Sequence, residues 1–145
     1  MRLSTKARYS ARAMIELALR FGEDPVKLKD IAKNQEISIK YLEQLMYPLR
    51  INNYVKTQKG SRGGYSLSRP PEDITLYDIV SCVEGSLVPV DCVDNPDLCG
   101  RLDLCVTRNV WIKLHQAIVK ELKSATLATL AEEQRQKYTE AGNRL

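Results

Sequence analysis

Apolar residues recur at helical spacing through the first fifty residues of the chain. A helix is predicted to begin at Ser4 or Thr5, which are good N-cap residues, and to end at about Phe21 because Gly22 follows. Its apolar positions form one stripe, which we expect to be buried: Ala11, Met14, Ile15, Ala18 and Leu19.

Two shorter helices separated by a tight turn are predicted next. The first runs from Leu28 to about Gln35, and the second begins after Ser38, its N-cap, and ends at about Arg50. Apolar residues of the second helix recur at the spacing of one helical face. We expect one face to be core and the opposite face to lie in solvent: Leu42, Leu45, Met46 and Leu49 in the core, and Lys40, Glu43, Gln44 and Tyr47 in solvent.

After these helices the periodicity changes from helical to alternating. Residues 54–58 and 65–67 predict two short strands, and residues 59–64 supply the glycines of a turn between them. Helix, helix, tight turn, helix and hairpin, in this order, is the plan of a winged helix-turn-helix. We therefore predict a mostly α fold with a winged helix-turn-helix domain and a small β-hairpin wing.

The second half of the chain predicts three more helices. Thr75 and Asp78 have the spacing of a capping box, which opens a helix over 76–84. A long helix is predicted from Val106, and a short one from Leu127 to about Lys137. These elements divide the chain into four segments: a DNA-binding domain over 1–85, a cysteine-bearing loop over 86–105, a long dimerisation helix with a short terminal helix over 106–138, and a tail without regular structure over 139–145.

The long helix carries an apolar stripe that is wider than a surface helix of a monomer needs. An apolar residue recurs at every fourth position from Val106 to Leu122. An exposed patch of this size is typical of an interface between subunits. We therefore predict a homodimer with these interface residues: Val110, Trp111, Leu114, Ile118 and Leu122.

Charge is distributed unevenly along the chain, whose formal net charge is +4. Residues 1–69 hold 14 Lys and Arg and 6 Asp and Glu. Residues 70–145 hold 8 Lys and Arg and 12 Asp and Glu. A basic half favours a polyanionic partner such as nucleic acid, although a solvated basic surface gives the same pattern.

The residue types on the predicted helix-turn-helix favour double-stranded DNA over an ordinary helical hairpin. Gln44 suits adenine, Lys40 suits guanine or phosphate, and Glu43 can accept a hydrogen bond from cytosine while it repels phosphate. Lys59 and Arg62 place cations on a thin loop that can enter the minor groove. The candidate DNA-binding residues are Ser38, Lys40, Glu43, Gln44, Tyr47, Lys59 and Arg62.

Three of the four cysteines fall within the predicted loop, at Cys92, Cys99 and Cys105. Thiolates at short, unequal spacings in a loop are typical of iron–sulfur clusters or zinc sites. A redox-active thiol pair and scattered structural thiols are the alternatives, and a permanent disulfide is not expected in a cytoplasmic protein. Cys82 lies in a predicted helix, where a lone cysteine is most often a small buried apolar residue.

Other classes of protein find little support in the sequence. The chain has no Cys-x-x-Cys motif and its single histidine, His115, lies within the long helix, so an enzyme is not expected. No apolar run is long enough for a membrane span, and the N-terminus does not have the features of a secretory signal. We expect a cytoplasmic protein.

Five short motifs are distributed over nearly the whole chain: Met1 to Tyr9, Tyr41 to Leu45, Arg62 to Tyr65, Val106 to Trp111 and Ser124 to Leu127. In combination they resemble the Rrf2 family of winged-helix repressors, in particular its IscR-like iron–sulfur cluster regulators. The resemblance implies a dimeric transcription factor that binds pseudo-palindromic promoter operators. It further implies that Cys92, Cys99 and Cys105 bind a [2Fe–2S] or [4Fe–4S] cluster.

The chain departs from this pattern at the fourth cluster ligand. IscR-like proteins use a histidine shortly after the third cysteine, and here Arg108 occupies that region. The sequence therefore does not determine the fourth ligand, and several groups are candidates: Asp91, Asp103, Cys82, a residue of the second subunit or an exogenous small molecule. The fold and the Tyr41–Leu45 run also resemble CymR-like repressors of cysteine metabolism, which lack the three cysteines and imply control through a partner protein or thiol chemistry.

Overall fold

The computed structural model describes residues 3–142, which form six α-helices and a two-stranded sheet. The first three helices are α1 (Thr5–Leu19), α2 (Leu28–Gln35) and α3 (Ile39–Ile51). The Ser4 side chain caps α1 by accepting a hydrogen bond from the backbone N–H of Ala7. α1 ends at Leu19, two residues before the predicted Phe21. The backbone hydrogen bonds there change to a tighter turn, in which the N–H of Phe21 donates to the carbonyl of Ala18, three residues earlier.

A hairpin follows α3 and is attached to the helices at its root. Its strands β1 (Val55–Gln58) and β2 (Gly64–Leu67) are antiparallel, with Val55 opposite Leu67. Val26, just before α2, exchanges two backbone hydrogen bonds with Tyr65, each with an N–O distance of 2.8 Å. Because the side chains of Val55 and Leu67 are buried, the base of the hairpin is fixed against the helices while its tip projects.

The remaining helices are α4 (Leu76–Glu84), α5 (Val106–Ser124) and α6 (Leu127–Glu140). The predicted capping box at the start of α4 is confirmed. The Thr75 N–H donates to Asp78 Oδ2 at 2.8 Å, and the Asp78 N–H donates to Thr75 Oγ1 at 3.2 Å. Two N–H groups that a helix leaves unpaired at its beginning are satisfied in this way.

α6 packs into the same core as the first three helices, although the long α5 precedes it. The N–H of Leu127 donates to the carbonyl of Ile74 and the N–H of Leu76 to the carbonyl of Ala125, both at 2.8 Å. Leu127 is 0% exposed and Ala131 is 4% exposed, and both belong to the main hydrophobic core. Residues from both ends of the chain therefore share this core.

The prediction of the buried stripe on α1 was partly wrong. Met14 and Ala18 are buried as predicted, and the deepest positions also include Ala13 and Leu17. The other three predicted positions are only half-buried: Ala11, Ile15 and Leu19. α1 is in contact with α4 as well as with α6, so its buried surface is wider than a single stripe.

The predicted end of the last helix was also too early. α6 continues beyond Lys137 to Glu140, so Thr139 and Glu140 are helical rather than part of a tail without regular structure. The Thr139 hydroxyl donates to the carbonyl of Arg135 at 3.0 Å, within the last turns of the helix. Residues 143–145 of the predicted tail lie outside the described residues.

None of the helices within residues 3–142 has the length and apolar character that crossing a membrane requires.

Candidate functional site

The turn between α2 and α3 has a defined backbone geometry. Glu36 adopts a left-handed conformation with φ 55° and ψ 43°, and the N–H of Ile37 donates to the carbonyl of Ala32 at 3.0 Å. Ser38 then caps α3, and its hydroxyl accepts a hydrogen bond from the N–H of Tyr41 at 3.1 Å. The turn is therefore short, and the direction of α3 relative to α2 is fixed by hydrogen bonds.

α3 has one fully buried face and one exposed polar face, as its periodicity predicts. Its core positions are at most 3% exposed: Leu42, Leu45, Met46 and Leu49. The opposite surface exposes Lys40, Glu43 and Gln44, and Tyr47 is 59% exposed. The Ser38 side chain, predicted to be near DNA, is at the exposed start of this helix and is already engaged as its cap.

Sequence reasoning did not identify the apolar residues that α3 exposes at its two ends, Ile39 and Ile51. Ile39, the first residue of the helix, is 49% exposed. Apolar residues were assigned to the core from their periodicity, and Ile39 lies three positions before the buried Leu42 and so could have been assigned to either face. Its place at the first helical position, directly after the N-cap, is the signal that could have identified Ile39 as an exposed residue.

A second missed feature is a polar cluster that joins α1 to α2. Glu16 is only 7% exposed, and its two carboxylate oxygens accept hydrogen bonds from Asn34 Nδ2 at 2.7 Å and from Gln35 Nε2 at 2.8 Å. The Nε of Arg12 in turn donates to Gln35 Oε1 at 2.8 Å. Buried polar groups of this kind are costly unless each finds a partner, so the cluster favours one orientation of α2 on α1.

Aromatic contacts extend this cluster to α3. The guanidinium of Arg12 lies over the ring of Tyr9 at 5.1 Å from its centroid. The Tyr9 ring meets the Tyr41 ring edge-on, with 6.1 Å between centroids. Through these contacts α1 touches both helices of the helix-turn-helix and supports their relative position.

The tip of the hairpin depends on close backbone contacts at glycine. A Cβ atom on Gly63 would lie 2.1 Å from the carbonyl oxygen of Gln58, so no other residue fits there without a shift of the backbone. The N–H of Gly63 donates to the carbonyl of Gly60 at 3.0 Å and closes the turn. Lys59 and Arg62 are exposed at this tip, where the sequence predicts them.

The cations of the helix-turn-helix and hairpin are not neutralised by neighbouring carboxylates. Among residues 3–142, the only ion pair within 4.0 Å joins Arg135 to Glu132, which is remote from these elements in sequence. The basic side chains of α3 and of the hairpin tip are thus available to an external anion, which is the arrangement that phosphate contacts require.

The loop before α5 contains three short 3-10 turns, over 91–93, 96–98 and 102–104, and a predicted ligand lies within or directly after each one. Cys92, Cys99 and Cys105 are free thiols and half-buried. Their positions do not form a metal site: in the part of the chain that the structure describes, no three His, Cys, Asp or Glu side chains are grouped so that they could hold a metal ion. The donor types suit an iron–sulfur cluster, but their arrangement here does not.

Two observations bear on how this loop could bring its thiols together. No residue from Val88 to Cys105 is buried, so few packing contacts fix the conformation of the loop. The Nε of Arg108, on the first turn of α5, donates to the carbonyl of Cys92 at 3.4 Å. Arg108 therefore holds the first cysteine segment close to the helix that begins directly after Cys105.

The thiols of Cys105 and Cys82 differ in their surroundings. A hydrogen bond from the Thr107 hydroxyl, 3.4 Å from Cys105 Sγ, and the backbone of Arg108 lower the pKa of the Cys105 thiol. Burial raises the pKa of the Cys82 thiol, and a hydrogen bond from Asn52 Nδ2 at 3.4 Å opposes this effect. Cys82 lies on α4 and packs against the main core, as expected for a structural cysteine.

α5 contains no buried residue along its whole length. The first half of its apolar stripe is exposed, with Val106 at 83%, Val110 at 56% and Leu114 at 41%. Ile118 and Leu122 are half-buried and line a cavity of about 260 Å³ together with Leu3, Leu87 and Val88. Trp111, the remaining predicted interface residue, is half-buried.

A helix-turn-helix with an exposed polar face on its second helix, a glycine-closed hairpin beside it and unpaired cations on both is a winged-helix transcription regulator. Comparison with known proteins agrees with this class. The sequence matches the Rrf2 family, described as "Iron-dependent Transcriptional regulator", over residues 3–133.

The relatives of this chain include proteins with three different names. It is 39% identical to Protein rrf2 of Nitratidesulfovibrio vulgaris over 130 residues, covering 90% of this chain and 87% of that protein. The structure of CymR (YrzC), the global cysteine regulator of B. subtilis, matches with a TM-score of 0.78 and 39% identity, covering 92% of this chain and 98% of CymR. The structure of T. potens IscR matches with a TM-score of 0.77 and 41% identity, covering 92% of this chain and 88% of the IscR chain.

The chain therefore belongs to the Rrf2 family of transcriptional regulators. The predicted mostly helical winged-helix fold and the predicted family are both confirmed. IscR and CymR are similar to this chain to nearly the same degree, so the comparison supports the role of regulator and does not distinguish a cluster-based signal from another one.

Proposed function

We propose that this protein is a homodimeric transcription regulator that binds pseudo-palindromic promoter DNA through α3 and the hairpin and senses its signal through an iron–sulfur cluster. The observation that carries the DNA-binding part is the division of α3 into a buried and an exposed face. Because four core side chains fix the helix, its polar side chains are presented on a rigid support. A regulator that binds promoter DNA is expected to act in the cytoplasm of a bacterial cell.

The exposed residues of α3 have distinct roles in this proposal. Gln44 makes a bidentate contact to adenine, and Lys40 reaches guanine or a phosphate. Glu43 accepts a hydrogen bond from the cytosine amino group and disfavours sites that place a phosphate or another acceptor there. Ser38 and Tyr47, at the two ends of this surface, contact the flanking phosphates.

The hairpin contributes affinity that depends little on sequence. Lys59 and Arg62 extend from its tip to the DNA backbone and the minor groove. Each phosphate contact releases counterions, so binding through the tip weakens as salt is added.

The surface of α5 supports the proposed dimer. The helix has no buried residue, and Val110 and Leu114 on its apolar stripe are exposed, so this part of the stripe is not covered by its own chain. A second copy that packs along Val110, Trp111, Leu114, Ile118 and Leu122 covers this surface. The two-fold symmetry of such a dimer is matched by the two half-sites of a pseudo-palindrome.

Cys92, Cys99 and Cys105 are the residues that would hold the cluster. Their chemistry supports this assignment, since three free thiols lie within a short loop and the third directly precedes the first turn of α5. Thiolates are the usual ligands of such clusters, and a helix N-terminus favours negative charge. When bound, a cluster would supply a group that is sensitive to oxygen and to redox state. The loop must rearrange to gather the thiols, and its lack of buried residues permits this.

A second candidate is a CymR-like regulator controlled by a partner protein or by thiol chemistry without a cluster. Two observations favour it: the cysteines are not grouped within the described residues, and the likeness to CymR is as strong as that to IscR. Both candidates share the same DNA-binding surface and differ only in the signal.

The DNA-binding part is tested by comparing two kinds of variant. Gln44→Ala removes a bidentate base contact, so we expect a loss of about 1–3 kcal/mol at one position per half-site and little change in non-specific affinity. Lys59→Ala and Arg62→Ala should weaken binding to all sequences and reduce the slope of log affinity against log salt. An equal loss of specific and non-specific binding in Gln44→Ala would show that α3 is not the recognition helix.

A further inference from the structure

Ile39 is a large apolar side chain on the surface that the proposed function assigns to DNA. It is the first residue of α3, directly after the Ser38 cap, and it is 49% exposed. Its exposed neighbours Lys40 and Glu43 are charged. Ile39 therefore adds an apolar side chain to the N-terminal end of α3, where its exposed neighbours are polar.

The position of Ile39 along α3 determines what it can meet. In a helix-turn-helix, the N-terminal residues of the recognition helix point toward base edges in the major groove. Most groups displayed there are hydrogen-bond donors or acceptors, which an isoleucine cannot satisfy. The methyl group at C5 of thymine is the apolar exception, and apolar side chains contact it.

We propose that Ile39 reads the 5-methyl group of a thymine in each half-site of the operator. This inference rests on the proposed DNA-binding role of α3. Isoleucine suits the task because a β-branched side chain in a helix has one strongly preferred χ1 rotamer, so little conformational freedom is lost on contact. Ile39 thereby adds a preference for thymine over cytosine and over uracil to the contacts of Gln44 and Lys40.

Ile51 provides a matched control on the same helix. It has the same side chain and is 61% exposed, but it is the last residue of α3. At the helical rise it lies about 18 Å further along the helix axis than Ile39. A loss of affinity that comes only from removing an exposed isoleucine should appear in both Ile39→Ala and Ile51→Ala. Loss of sensitivity to the thymine methyl group should appear only in Ile39→Ala.

The experiment replaces thymine by deoxyuracil, which removes the methyl group and keeps base pairing. An operator is first selected from random duplexes with the wild-type dimer, and each thymine is then exchanged symmetrically in both half-sites. We expect one thymine position in each half-site at which the exchange weakens wild-type binding. The loss should be about fourfold for each methyl group removed, from the free energy of burying one such group. Ile51→Ala should show the same loss, and Ile39→Ala should bind both duplexes equally.

Two results would overturn the inference: an Ile39→Ala variant as sensitive to deoxyuracil as the wild type, or a selected half-site in which no thymine exchange weakens binding. Failure of the proposed function looks different. In that case the wild type selects no sequence from the random pool, or its selectivity is unchanged in Gln44→Ala.

Discussion

Glu16 and Gln35 illustrate how much single side chains contribute beyond the pattern of the sequence. A glutamate within an amphipathic helix is expected to be exposed, yet Glu16 is buried and held by two amides from α2. Nothing in its local sequence indicates this, because both partners come from another helix. The core leucines of α3, in contrast, follow from periodicity alone.

The environments of the cysteines predict different reactivities of their thiols. Because its pKa is lowered, Cys105 has a larger thiolate fraction at pH 7 than an ordinary cysteine, whereas Cys82, with a raised pKa, has a smaller one. In metal-free protein we expect iodoacetamide to modify Cys105 before Cys82, with the onset of modification at lower pH for Cys105. Peptide mass spectrometry over a pH series measures this order, and faster modification of Cys82 would contradict it.

At the scale of elements, most helices could be predicted from local signals. The capping box at Thr75, the Ser38 cap and the periodicity of α3 each lie within a few residues of the element that they define. The path of α6 could not be predicted in this way. Its burial depends on Ile74 and α1, which are distant in sequence, and a periodic pattern does not state which partner covers it.

The packing of α6 predicts that the last helix stabilises the DNA-binding unit. Leu127→Ala should lower the free energy of unfolding by about 2–5 kcal/mol, because it leaves a cavity in the main core. Leu98→Ala is the matched control, since Leu98 is 63% exposed and should have almost no effect. Urea unfolding followed by circular dichroism measures both, and equal midpoints would place α6 outside the core.

At the scale of the whole molecule, the sequence predicted the apolar stripe of α5 but not how far its own chain covers that stripe. The structure leaves Val106, Val110 and Leu114 exposed, whereas Ile118 and Leu122 line a cavity with other segments. The cysteine spacing likewise predicts a metal site whose residues the fold does not group. In the proposed function, both features depend on partners outside this chain, a second copy and a cluster, which local sequence patterns do not specify.

The proposed dimer gives a prediction for α5. Leu114→Glu places a charge in the centre of the apolar stripe and should yield a monomer, with loss of specific DNA binding as the two half-sites are no longer bound together. Gln116→Glu adds the same charge at an exposed position on the other side of α5 and should leave the dimer intact. Sedimentation at micromolar concentration measures the change, and a wild-type monomer would remove the basis of this proposal.

The proposed sensor is tested most directly by the visible spectrum and iron content of protein reconstituted without oxygen. Several thiolates hold a cluster together, so loss of any one should leave it unstable. We expect a coloured wild type and colourless or very labile Cys92→Ala, Cys99→Ala and Cys105→Ala variants. Cys82→Ala should keep the wild-type spectrum because Cys82 packs against the main core, and loss of colour in this variant would identify Cys82 as the fourth ligand. A colourless wild type, or four cysteine variants with the spectrum and iron content of the wild type, would contradict the cluster and favour the CymR-like alternative.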